Sequence, residues 1–286
     1  MKLARVLSLL LLISGSGVLA QSIPADSTKA SITQRVGLDD VTLTYHRPNV
    51  RSRRIWGALV PYGVVWRTGA DYPTFVTFTD ATTVEGKPLL AGKYALYTIP
   101  NEKTWTVIFS KNLGLWGAFG YKQSDDALRV EVTPESGEFT ETFTIGFSDV
   151  GDDRATIVMR WEKVRVPIRI SVDITERVLG YVRQVIASGK VDWGTYWKGA
   201  NYLLKQGHDL ELALEWISKS VEMEPGWMNL WTKARVLAAR GDYRAAVEAG
   251  KKAIEKGKEK ENAPYFPYET TWTEEIRHWQ RGVNEP

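Results

Sequence analysis

SITQRVGLDDVTLTY, residues 31–45, is the stretch that decides the fold of the first half of the chain. Val41, Leu43 and Tyr45 alternate with Thr42 and Thr44, and Ile32 and Val36 fall on one side of an earlier alternation. A period of two carried by β-branched and aromatic residues describes strands with one buried face. Residues 37–40 supply the turn, so the stretch reads as two antiparallel strands. The same signal recurs at residues 64–68, 74–79, 93–99, 104–110, 129–132, 141–147, 155–161 and 164–170, with a hairpin from residues 82–84 and 89–90 around Glu85 and Gly86. Many short strands separated by turn residues predict an antiparallel β-sandwich or barrel.

Working outward, residues 45–71 read YHRPNVRSRRIWGALVPYGVVWRTGAD. Arg47, Arg51, Arg53, Arg54 and Arg67 stand here with no Asp or Glu between Val41 and Ala70. A guanidinium can grip a carboxylate or phosphate with two parallel bonds where an ammonium offers a point charge. The candidate ligand-binding residues are therefore Arg47, Arg54, Trp66, Arg67, Asp71 and, from a later loop, Trp116. The competing structural reading is that these arginines pair with acids on neighbouring strands or lie over aromatic faces. Pro48 cannot donate to a central ladder, so residues 49–63 read as a long ordered excursion whose Trp56, Leu59 and Tyr62 plug one end of the β domain. Residues 112–121 form a second notable loop. Trp116, Phe119 and Tyr121 stand among three glycines there, either as an aromatic lip over a ring-shaped ligand or as a cap on the core.

These motifs carry a resemblance. Arg47-Pro48, R-x-W-G-x-L-V-P-Y-G-x-V-W-R-T-G-A over residues 54–70, G-K-P-L-L-A-G-K-Y-A-L-Y-T-I-P over 86–100, W-T-V-I-F-S-K over 105–111 and Trp116-Gly117 follow in order. Together they resemble the domain-of-unknown-function 2911 family of secreted bacterial proteins, across residues 29–170. The resemblance implies a compact β domain and assigns no activity. The chain departs from the family pattern at Asp71, where Asn is usual, and at Trp56, where Phe is usual.

The 286 residues suffice for two cores. Lys2 and Arg5, an apolar run over residues 6–13 and Val18-Leu19-Ala20 form a signal peptide over 1–20, with a linker over 21–28. This predicts a periplasmic or secreted protein of the bacterial envelope. The apolar run is shorter than the ~20 residues of a membrane span, and no membrane span is expected after cleavage. The chain has 37 Lys and Arg against 34 Asp and Glu. A balance so even disfavours a nucleic-acid partner. Cys is absent, which removes disulfides, thiol catalysis and thiolate metal sites.

After Ser171 the period changes. Ile174, Val178, Tyr181, Val182, Val185 and Ile186 recur at three and four, and Gly189 breaks this first helix. Trp197, Ala200, Asn201, Leu204, Ala213, Ile217 and Ser220 then align with Leu230, Lys233, Ala234, Leu237, Ala246, Gly250 and Ala253 at a constant offset of 33. That is one short of the tetratricopeptide period of 34. The organisation expected is thus α+β in two domains: a β domain over 29–171, then an all-α tetratricopeptide-like array over 172–286. A final helix over 272–281, opened by a capping box of Thr271 and Glu274, is expected to cover the open end, and residues 264–268 to strap aromatics back onto the helices.

His46, His208 and His278 lie far apart in the chain. No metal-ligand spacing, calcium loop or phosphate-cradling glycine loop is present, so neither cofactor nor metal is expected. The function expected is a non-catalytic binding or scaffold protein. Its β domain takes a small anionic or glycan-like ligand or a partner, and its helices hold a protein partner. The alternative is a hydrolase or lyase with a site around His46, Arg67 and Asp71, Tyr45 assisting, which requires His46 and a carboxylate within about 2.6–3.2 Å.

Overall fold

The computed structural model describes residues 26–259 and 261–284; the signal peptide read at 1–20 and residues 21–25 of the linker lie outside the described residues. The chain divides into two compact units, one ending at Val172 and the other beginning at Asp173.

In the first unit β1 (Thr28–Val36) and β2 (Asp39–Arg47) form a hairpin. Its turn is tighter than the four residues expected, because Val36 pairs with Asp39 and Gly37 takes a φ of +61°. The strands β3 (Thr74–Phe78), β4 (Thr82–Val84), β5 (Lys87–Leu89), β6 (Gly92–Ile99), β7 (Trp105–Ser110), β8 (Asp126–Val132), β9 (Glu135–Ser148) and β10 (Arg154–Ser171) follow. They make one sheet in the order β1-β2-β3-β6-β7-β8 and another in the order β5-β4-β10-β9, every pairing antiparallel and neither sheet closed. Alternate residues of β2 and β3 are buried, as the period of two requires. Tyr45 crosses between the sheets: its ring meets Phe143 edge-on, and its hydroxyl donates to the Ile145 carbonyl at 2.9 Å.

Two strand expectations are corrected. Residues 155–161 and 164–170 belong to one strand, β10, whose ladder to β9 is irregular around Glu162, a residue with φ +55°. Bulges of this kind bend a strand without ending it, and the Val172 N–H comes back to the Asp153 carbonyl, 2.8 Å away. Residues 64–68 form no strand. Trp66 makes a single two-bond bridge to Thr98, beyond the last β3–β6 pair at Thr74 and Leu96. The positive φ of Thr68 then turns the chain away.

The second unit contains six α-helices among the described residues. They are α1 (Thr175–Ala187), α2 (Trp193–Gln206), α3 (Leu210–Met223), α4 (Trp227–Ala239), α5 (Tyr243–Lys258) and α6 (Glu269–Asn284). Each packs on the next in chain order. Asp192 caps α2 by accepting from Thr195, whose hydroxyl and backbone N–H hold the Asp192 carboxyl below its usual range. One core joins α1, α2 and α3 around Leu179, Leu203 and Trp216. Another gathers Trp231, Trp272 and Trp279, with Trp231 and Trp272 stacked 4.1 Å apart. Asn229 is fully buried and fully used: it accepts from the Gly226 N–H and donates to the Ser220 and Glu224 carbonyls, tying α4 to the end of α3. The capping box expected at Thr271 does not form. Helix α6 begins at Glu269, so Thr271 already lies inside it. Phe266 and Tyr268 do pack on Trp227 and Trp272, as the strap reading requires.

Candidate functional site

Pro48 has no N–H for the ladder, and β2 stops at Arg47. The chain beyond is not loose. The Val50 N–H donates to the Glu141 carbonyl, the Phe143 N–H to the Pro48 carbonyl, and Thr142 Oγ1 to Asn49 Oδ1, so residues 48–50 are stitched to β9. Arg51 and Ser52, at φ +48° and +57°, then swing the segment outward. Trp56 returns to the core, with its ring 4.9 Å from Trp105, 5.7 Å from Trp66 and 5.8 Å from Trp161. Trp66 and Trp161 lie nearly parallel at 5.9 Å, and Trp66 also meets Phe143. Each such pair is worth about 0.5–1.5 kcal/mol beyond the area it buries, which makes the cluster a rigid floor. Of the expected plug, Trp56 packs as read; Leu59 and Tyr62 remain exposed.

The backbone at Arg67-Thr68 is strained. Thr68 is β-branched, completely buried and at φ +55°, a region such residues rarely enter. The conformation is held by Thr74 Oγ1, which donates to the Thr68 carbonyl, and by the hydroxyl pair Thr68–Thr98 at 3.1 Å. Strain of this kind costs on the order of 1–3 kcal/mol and persists only where surrounding contacts impose it.

Two clefts flank this point. The first, of about 280 Å³, is lined by Asp26, Arg51, Arg53, Trp66, Arg67 and Trp161, with Asp26 paired to Arg51. The second, of about 330 Å³, is lined by Val64, Val65, Trp66, Arg67, Ala118 and Phe119. Trp66 and Arg67 are common to both. A cleft of about 610 Å³ near Glu85, Arg154 and Arg169 is larger. Its two arginines are mostly solvated and lie against Asp153 and Glu85, so it holds no unneutralised buried charge.

Arg67 differs from six other arginines of the β unit. Among the described residues, Arg35, Arg51, Arg129, Arg154, Arg165 and Arg169 each form an ion pair with a carboxylate, and Arg67 does not. It is half-buried, and its Nε is fully buried and meets no hydrogen-bond acceptor. The guanidinium carbon sits 5.9 Å from the centre of the Trp116 ring. Trp116 in turn stacks on Phe119 at 5.9 Å with a 7° interplanar angle. Both rings face solvent, 61% and 73% exposed. Gly117, at φ +68°, lies so close that a Cβ there would stand 2.9 Å from Arg67 Nη1. Both ends of this loop are anchored. Lys111 donates to the Asp125 carbonyl and Asn112 to the Asp125 carboxylate, while Tyr121 donates to Asp126 at 2.6 Å. Burial pushes the Asp126 carboxyl up, and the Tyr97 hydroxyl beneath the loop up to about 12. Leu115, Ala118 and Tyr121 pack over Tyr97, so the loop caps the core with one set of side chains and shows a lip with the other.

The residues singled out from the sequence therefore separate. Trp66, Arg67 and Trp116 come together. Arg47 is tied to β9 through the Phe143 carbonyl and Thr144 Oγ1. Arg54 is exposed beside Gly57, and Asp71 is exposed at a left-handed turn position; neither lines either cleft. His46 packs against the Tyr72 ring at 6.0 Å, and its buried Nδ1 has no partner. The histidine–carboxylate pair required for acid–base chemistry is thus not formed at Nδ1. Arg51, Arg53 and Trp161 join the first cleft, and Val64 and Val65 the second, although none was among the expected ligands; Phe119, expected as part of an aromatic lip, also lines the second. Arg51 and Arg53 carried the same charge signal as Arg47. Trp161 carried none, because it arrives from the opposite sheet.

Among the described residues no helix is long and apolar enough to cross a membrane, and no group of three or more His, Cys, Asp or Glu is placed to hold a metal ion. Residues 27–170 match a family model described as protein of unknown function (DUF2911). No curated protein matches the chain.

Proposed function

Because the chain belongs to the DUF2911 family, whose description carries no activity, we propose a function from the site itself: a non-catalytic binding and scaffold protein, exported to the periplasm or beyond. Its β unit captures a small anion-bearing ligand at Arg67, and its helices serve as a tetratricopeptide-like platform for a protein partner. The observation that carries the first part is the half-buried guanidinium of Arg67, which has a buried, unbonded Nε, no carboxylate partner among the described residues and a cleft on either side. A cation taken partly out of water without an anion is unfavourable, and an incoming carboxylate or phosphate relieves that cost. For the second part, α3 and α5 bury equivalent positions at the repeat offset: Ala213 with Ala246, Ile217 with Gly250, Ser220 with Ala253. The leader expected at residues 1–20 supports export.

The test uses the Nε–H of Arg67 itself. Acetate and inorganic phosphate are titrated at low ionic strength into protein with ¹⁵N-labelled arginine. One Nε–H resonance, assigned by its loss in Arg67→Met, should move in a saturable way with at least one of the two anions. Replacing an unsatisfied guanidinium by an apolar chain of similar length leaves no polar atom stranded, so Arg67→Met should retain a melting temperature close to that of the parent. An Arg67 resonance that ignores both anions defeats the proposal.

A further inference from the structure

We infer that the ligand's anionic group is carried on an apolar ring, seated in the cleft between Val64, Val65 and Phe119, and that a sugar is the wrong class of ligand for this cleft. The inference rests on the anion-binding reading above and narrows it.

The cleft's lining argues first. Val64, Val65, Trp66, Ala118 and Phe119 bring no side-chain hydrogen-bonding group except the Trp66 indole N–H, and that is already donated to the Gly69 carbonyl at 3.1 Å. Arg67 is the one charged residue on the wall. A sugar buried here would lose water from several hydroxyls and find few side-chain partners, at a cost of roughly 1–3 kcal/mol for each group left unpaired. A flat hydrocarbon loses nothing of that kind. Charge and shape argue next. The same wall supplies an unneutralised guanidinium and the exposed Phe119 ring, on which Trp116, outside the wall, stacks in parallel. Aromatic faces left open to water are offered to another ring or an apolar chain. At about 330 Å³ the cleft lies in the range of small-molecule sites and takes one or two fused rings. Gly117 argues last. Its left-handed conformation and missing Cβ let the loop close to within contact of Arg67 Nη1, which brings cation and apolar wall to one place.

The probes are 2-naphthoate, acetate, glucuronate and 2-naphthalenemethanol, each titrated into the full chain by calorimetry and by the Arg67 Nε–H resonance. Naphthoate should bind at least about tenfold more tightly than acetate, the factor expected of about 1.4 kcal/mol of apolar burial. Glucuronate should bind no better than acetate, and the neutral alcohol at least tenfold more weakly than naphthoate. Phe119→Ala, at a residue too exposed to matter for folding, should remove most of the naphthoate advantage, with circular dichroism confirming an unchanged fold. If naphthoate and acetate bind alike, or glucuronate binds as well as naphthoate, the ring assignment is overturned while anion capture stands. The assignment is equally overturned if Phe119→Ala keeps the full advantage or the alcohol binds as tightly as the acid. Failure of every anion to bind would instead remove the reading beneath it.

Discussion

Single atoms decide whether Arg67 is a structural staple or a binding group. Arg47 and Arg53 donate their guanidinium hydrogens to fixed carbonyls, from Phe143 in the first case and from Asn49 and Val50 in the second. Arg67 instead faces an indole and a backbone turn. Gly117 makes this approach possible, so the substitution Gly117→Ala isolates it. The left-handed φ costs an L-residue about 1–2 kcal/mol, and the new methyl group overlaps Arg67 Nη1. The β unit's melting temperature should fall by roughly 3 °C or more, and the Arg67 Nε–H resonance should shift without any anion present. An unchanged resonance would mean that loop and guanidinium are not in contact. The acid-free run from Thr42 to Gly69 made an arginine site legible, but not which arginine. Arg53 finds its carbonyls three and four residues back, but the carbonyl that holds Arg47 lies on β9, 96 residues away in the chain, and no local spacing encodes it.

Elements were legible where a period ran long enough. The β1–β2 and β4–β5 hairpins follow from alternation and turn residues, helix α1 from three-and-four spacing, and helices α2 to α5 from the internal repeat at an offset of 33. Errors fell where tertiary contacts override local pattern: residues 64–68 have a strand's composition yet make one bridge, and α6 starts three residues before the first position read as helical. Helix packing gives a sharper test. Glycine in a helix interior ordinarily loses about 1 kcal/mol relative to alanine, so Gly199→Ala in α2 would be stabilising if the site were open. A Cβ there would lie 2.7 Å from the Trp216 ring of α3 and 3.1 Å from Val182 of α1. Overpacking of a tight core costs about 1–3 kcal/mol. The expected net result is a loss of about 1 kcal/mol in chemical denaturation of the helical unit; a gain would show that α2 and α3 stand further apart than the structure has them.

At the scale of the molecule, two cores with different periods share one chain. Each unit has its own buried cluster, built on Tyr97 and Ile108 in the first and on Trp216 and Trp231 in the second. Residues 26–172 and 173–286 produced separately should therefore each unfold cooperatively, the first with a sheet spectrum and the second with a helical one. A helical piece that melts without a sigmoidal transition would mean that its core is incomplete alone. Composition and periodicity by themselves determined the succession of an antiparallel β unit and a helical unit, because both rest on which residues avoid water at intervals of two or of three to four. They also determined a cationic segment after β2. Only the tertiary structure decided that Arg47 is held by β9 while Arg67 is left beside an apolar cleft. That outcome depends on where β9 and residues 112–121 come to lie, a long-range packing result that no neighbour in the chain records.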